Sequence, residues 1–103
     1  MKRRPSTSAT DVDVLDELAS AFAALRGADE VRSFLEDLCT PAELEAMTDR
    51  WRVVPLLMEQ VPYREIHDRT AVSVTTIGRV ARTIETGAGG YAAAIRRTRP
   101  RGA

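Results

Sequence analysis

The chain has 103 residues and a formal net charge of zero, with 44% hydrophobic but only 5% aromatic residues. One cysteine, Cys39, and one histidine, His67, exclude an internal disulfide and leave no Cys/His zinc set within one chain, and no apolar run approaches the ~18 residues of a membrane span, so neither a metal nor a membrane partner is expected. The expected class is a single small all-α domain rich in Ala, Leu and Val, short enough that dimerisation is a route to stability.

The neutral total hides a division. Residues 1–10 carry Lys2, Arg3 and Arg4 and no acid; residues 11–49 carry eleven carboxylates against Arg26 and Arg32; residues 50–103 carry ten arginines against Glu59, Glu65, Asp68 and Glu85. A basic half made only of arginine points to a polyanion, because guanidinium suits paired bonds to phosphate or guanine. A solvated surface of uneven charge is the alternative.

Residues 1–10 are polar and basic without periodicity and read as a disordered arm. No apolar segment follows the three basic residues, so the arm is not a secretory signal, and a cytoplasmic location is expected. Residues 11–26 read as the first helix. Val14 or Leu15, Leu18, Phe22 and Leu25 recur at helical spacing, acids cluster at the positive end, and Gly27 is the expected stop. Val12 and several alanines broaden its apolar face, which suits a dimer-forming helix; an ordinary core helix is the alternative. Residues 29–38 read as the second helix, with Asp29 a candidate N-cap and Val31, Phe34, Leu35 and Leu38 its buried stripe. Cys39 reads as a small buried hydrophobe.

Thr40-Pro41-Ala42-Glu43 is a helix start: Thr40 as N-cap, Pro41 at the first helical position, Glu43 completing a capping box. The third helix then carries Leu44, Met47, Trp51, Val54, Leu57 and Met58. Pro55 has no N–H to give the Trp51 carbonyl. Because the apolar stripe continues past it, a kinked but continuous helix is expected rather than a break. Trp51 reads as a core or dimer-interface aromatic rather than a ligand stacker.

Residues 63–86 read as a helix-turn-helix. Ile66 and Thr70 face inward from the first helix, Val72 lies in the turn, and Ile77, Val80 and Ile84 form the stripe of the second. Ser73 is placed to cap that second helix. Its opposite face offers Thr75, Thr76, Gly78, Arg79 and Arg82, with no carboxylate until Glu85, which suits a DNA major groove. Two positions depart from the usual pattern. His67 stands where a small residue is usual, and Ala71 where the turn usually has Gly, so an αL alanine costing about 1 kcal/mol is expected. An ordinary pair of packed helices is the alternative. Gly87-Ala88-Gly89-Gly90 stops the helix and is no phosphate loop, since no Gly-Lys-Ser/Thr follows. Residues 91–97 form a short last helix with Tyr91, Ala94 and Ile95 facing in. Arg96, Arg97, Arg99 and Arg101 make a basic end, with residues 98–103 as its tail beyond a domain spanning 11–97. His67 is the lone imidazole and no nucleophile–base pair follows from spacing, so an enzyme is not expected.

Several words, in order, resemble the Trp repressor family over about residues 34–95. They are Leu38-Cys39-Thr40-Pro41-Ala42-Glu43-Leu44-Glu45-Ala46, Arg50-Trp51-Arg52-Val53-Val54, Tyr63-Arg64-Glu65-Ile66 and Val74-Thr75-Thr76-Ile77-Gly78-Arg79-Val80. The Thr-Ile-x-Arg-Val word, the Gly-rich link and Gly90-Tyr91 are most similar to the YerC/YecD branch of TrpR-like proteins. The resemblance implies about six helices in an intertwined homodimer that presents two recognition helices about one DNA turn apart. It implies DNA contacts at Arg64 and His67 and at Ser73, Val74, Thr75, Thr76 and Gly78. Arg79 and Arg82 add to that basic face, and Arg82, Arg96 and Arg97 are expected to attract phosphates rather than read bases.

In the tryptophan-binding members two arginines sandwich the indole. Arg50 and Arg79 match them, and Thr83 matches the pocket serine. The residue after the second arginine is Gly there and Val80 here, a branched side chain where the indole must lie. An ion pair or a phosphate contact is the other reading of Arg50 and Arg79. The expectation is therefore a sequence-specific, dimeric DNA-binding transcriptional regulator that needs no cofactor and does not respond to tryptophan, though another small corepressor could occupy that pocket. The alternative is a helical dimeric interaction adaptor, its acidic half meeting a basic partner and its DNA affinity incidental.

Overall fold

The computed structural model describes residues 8–98, which form six α-helices: α1 (Ser8–Ala24), α2 (Gly27–Leu38), α3 (Pro41–Met58), α4 (Tyr63–Thr70), α5 (Val74–Thr86) and α6 (Gly90–Thr98). Lys2, Arg3 and Arg4 of the expected arm, and Arg99 and Arg101 of the expected tail, lie outside the described residues. The chain divides after Thr40 into a unit holding α1 and α2 and a unit holding α3 to α6.

In the first unit three boundaries differ from expectation. Helix α1 already includes Ser8, ahead of Asp11, and stops at Ala24. Gly27 does not stop it. With φ of +79° it is the first residue of α2, and Arg26 rather than Asp29 occupies the N-cap position. Glu30 explains the shift, because its Oε1 accepts the Arg26 backbone N–H at 2.7 Å and satisfies one of the orphan donors at the helix start. Phe22 and Phe34 join the two helices edge to face, with ring centroids 5.0 Å apart at 75°.

The second unit holds the core. Helices α3, α4 and α5 each touch the other two, and α6 packs on α3. Val53, Val54, Ile66, Ile77 and Val80 are fully buried and Val72 nearly so. Around them lie Leu56, Leu57, Met58, Val61, Ile84, Tyr91 and Ile95. Full burial of a side chain such as Ile66 contributes about 2–3 kcal/mol. Val53 is the residue that the periodic stripe misses: α3 is covered by both α4 and α5, so two consecutive residues, Val53 and Val54, are buried. Trp51 remains 38% exposed, outside this core.

Helix α3 runs through Pro55 as one element. Its far end closes as a Schellman motif that sequence reading missed. The Val61 N–H donates to the Leu56 carbonyl at 3.0 Å and the Gln60 N–H to the Leu57 carbonyl at 2.9 Å. This requires Gln60 in the left-handed region, at φ +63°. The second such residue is Ala71 at the end of α4, at φ +64° and ψ +6°, as its place in the turn predicts. At the end of α5 the constraint is different. Gly87 is extended, and a Cβ there would lie 2.5 Å from the Thr83 carbonyl oxygen, so the close return of the chain admits only glycine.

Both αL residues carry a Cβ that opposes their conformation. Gln60→Gly and Ala71→Gly should therefore each stabilise the fold by up to about 1 kcal/mol, less the extra entropy of glycine in the unfolded chain. Urea unfolding should show a higher midpoint at unchanged slope; a lower midpoint for both variants would contradict the strain assigned here.

Candidate nucleic-acid interface

Helix α4 has eight residues, too few to persist alone, and only Ile66 and Thr70 are buried from it. Its place is set by packing and by the turn that follows. Thr70 Oγ1 donates to the Ile66 carbonyl at 2.7 Å and accepts the Val72 N–H at 3.1 Å. His67 Nδ1 lies 2.8 Å from the Val72 carbonyl oxygen. From α3, Arg52 Nη1 donates to the Thr70 carbonyl at 3.3 Å. The Ala71 N–H closes α4 on the His67 carbonyl at 2.8 Å. The turn is thus held through its own backbone groups, and the Val72 side chain is sunk in the core.

Helix α5 begins where sequence reading placed it. Ser73 Oγ accepts the Thr76 N–H at 3.1 Å and donates to Thr76 Oγ1 at 3.1 Å. No acid occupies the first turn of α5, so the positive end of the helix dipole is left unneutralised and can favour an anion or a base-edge acceptor. Thr83 and Thr86 donate their hydroxyls back to the carbonyls of Arg79 and Arg82, both at 3.0 Å, and so spend that donor within the helix.

The nine residues expected at a DNA surface fall on adjoining elements of one unit. Arg64 and His67 are exposed on α4, and Ser73, Val74, Thr75, Arg79 and Arg82 are exposed on α5 and its cap. Thr76 and Gly78 are half-buried. Thr76 Oγ1 accepts from the Ser73 cap and keeps its own O–H to donate, while Thr75 is the more exposed hydroxyl. Gly78 lies beside a residue the sequence reading missed. A Cβ at Gly78 would sit 3.8 Å from Tyr63 Cε2 and 3.9 Å from Arg82 Nη1, so the Tyr63 ring and the Arg82 guanidinium flank it. Tyr63 is 43% exposed and belongs to the same surface. Its sequence signal was an aromatic residue opening α4 outside the apolar stripe. Arg69, also on α4, is held by Glu65 at 2.6 Å. Among the described residues no such carboxylate holds Arg64, Arg79 or Arg82, so their charge is available to a ligand.

The four residues of the expected small-molecule pocket also come together. Arg50, Arg79, Val80 and Thr83 line one cleft of about 410 Å³, joined by Tyr91 from α6. Val80 contributes from the core, being only 1% exposed. The cleft is predominantly polar and carries two guanidiniums. Among the described residues, no group of three or more His, Cys, Asp or Glu side chains could hold a metal ion, and no helix is long and apolar enough to cross a membrane.

The chain is similar to known proteins in sequence and fold. Residues 13–99 match the family model described as Trp repressor protein. The uncharacterised protein YerC of Bacillus subtilis is 33% identical over 85 residues, which is 82% of each chain. A TrpR-like protein from Eubacterium eligens is 33% identical with a TM-score of 0.76, over 82% of this chain and 88% of its own. A candidate Trp repressor from Staphylococcus aureus is 29% identical with a TM-score of 0.78, over 89% and 94%. Proteins of this family are transcription regulators, not enzymes. The match covers most of the chain and the folds superimpose, so this chain belongs to the Trp repressor family.

Proposed function

We propose that the protein is a sequence-specific DNA-binding transcriptional regulator that acts as a homodimer and does not take tryptophan as corepressor. The observation that carries the reading is the surface of α4 and α5. It presents exposed arginines and small hydroxyls around a helix start with no acid in its first turn. Such a surface offers donors to phosphates and to the acceptor-rich edges of bases.

In this reading the first turn of α5 enters the major groove. Thr75 reaches base edges while Ser73 and Thr76 hold the helix start in shape. Arg64 takes a phosphate or makes paired bonds to a guanine, and Arg82, Arg96 and Arg97 supply the general attraction. A second copy of the chain covers apolar surface that the small core leaves outside: Val14, Leu15, Leu38 and Trp51 are all more than a third exposed. Two copies then present two α5 helices about one helical turn of DNA apart, ~34 Å.

Arg79 lies on the recognition helix and also lines the cleft with Arg50. A ligand in that cleft would therefore touch the element that reads DNA. Val80 is the reason for excluding tryptophan from that role: the tryptophan-binding members that the chain resembles have a glycine at this position, and here a branched residue of the core bounds the cleft.

Selection of binding sites from random duplexes, followed by genomic mapping, tests the function. Failure to prefer any sequence at any salt concentration would leave the adaptor as the better account. Arg64→Ala should weaken binding to the selected site by about 1–3 kcal/mol if Arg64 reads guanine, or reduce the salt slope by about 1 if it holds a phosphate. An unchanged affinity across the salt series rules out both roles. Calorimetric titration with tryptophan should give no binding heat, whereas saturable micromolar-range heat would overturn the corepressor assignment.

A further inference from the structure

We propose that His67 is a specificity-determining residue whose second ring nitrogen, Nε2, accepts a hydrogen bond from the exocyclic amine of an adenine or a cytosine. The inference rests on the DNA-binding reading above and deepens it. His67 Nδ1 lies 2.8 Å from the Val72 carbonyl oxygen. A carbonyl oxygen can only accept, so Nδ1 carries the proton of that bond. A neutral imidazole has one such proton, and Nε2 is left as a lone-pair acceptor.

Among the described residues no group donates to Nε2. His67 is exposed, and among the described residues its one side-chain hydrogen bond is the one to Val72. The nitrogen belongs to the surface that carries Arg64 one turn earlier and Ser73 across the turn. To the neutral ring a phosphate oxygen is an unsuitable partner, because two acceptors facing each other have no proton between them. The major groove contains two kinds of base donor, the adenine N6 amine and the cytosine N4 amine. The neutral ring's Nε2 acceptor is therefore matched to those bases and mismatched to guanine O6 and thymine O4. The same bond makes His67 a positioning residue, since Val72 lies between Ala71 and the Ser73 cap of α5.

The two roles separate by substitution. In His67→Asn the amide nitrogen falls near the place of Nδ1 and can still donate to Val72, but nothing replaces Nε2. His67→Phe loses both groups. Nitrogen-15 NMR of the free protein should show the ring protonated at Nδ1 and bare at Nε2; the opposite tautomer overturns the inference without touching the DNA reading. In selections from random duplexes, the wild type should favour adenine or cytosine at one position in each half-site, by about three- to tenfold. His67→Asn should lose that preference, keep the others and melt close to the wild type. His67→Phe should lose the preference and also melt lower. If the wild type selects a site and His67→Asn selects it identically, His67 does not read a base and the DNA-binding function stands. If the wild type selects nothing, the function itself fails and this inference with it.

Discussion

The turn between α4 and α5 is the constraint on which the functional surface depends. Three residues must reverse the chain with an alanine in the left-handed region, at φ +64°. That conformation persists because the backbone on either side is tied down. Val72 gives its N–H to Thr70 and its carbonyl to His67, and its side chain is buried with Ile66 and Ile77. Arg52 adds a bond from α3 to the Thr70 carbonyl. A buried backbone group left unpaired costs about 1–3 kcal/mol, so these bonds keep the local strain from being relieved by opening the turn. Every residue of α5 inherits its position from this arrangement.

Around that turn the same few residues serve folding and, in the proposed function, recognition. Ser73 and Thr76 exchange hydrogen bonds to start α5, and this ties the Thr76 hydroxyl to the cap as an acceptor while its O–H stays free to donate. Arg69 is matched by Glu65, while Arg64 three residues before His67 stands without a carboxylate among the described residues. An exposed pair such as Arg69 and Glu65 contributes little stability. Its larger effect is on the field, because it cancels one positive charge on α4 and concentrates the remainder at Arg64, Arg79 and Arg82.

The cleft joins residues of three helices around two arginines. Arg50 on α3 and Arg79 on α5 both line it, and Thr83 and Tyr91 complete the wall. Val80 turns its bulk into the core, where it is 1% exposed, and still bounds the cleft. A residue at that position is therefore judged twice, by packing against α3 and by the space it leaves beside the two guanidiniums. Branching satisfies the first demand and narrows the second.

Periodicity and local chemistry by themselves determined much of this protein. Ser73 had to cap α5 because its hydroxyl stands three residues before a free N–H, and Ile66, Val72, Ile77 and Val80 had to be buried because their spacing puts them on one side of the motif. Both readings depend only on neighbours in sequence. The class, six helices, and the family likeness followed from the same residues and the words they form. What tertiary structure decided was set by residues distant along the chain. Val53 is buried because two helices cover α3 at once, which a single stripe cannot reveal. Tyr63 reaches the surface of α5 because its ring crosses to Gly78, fifteen residues away. The proton on His67 is placed by a carbonyl five residues on, across a turn. Sequence named the histidine as an exception to the motif; only the folded turn brings its Nδ1 within 2.8 Å of an acceptor, because that partner is a neighbour in space.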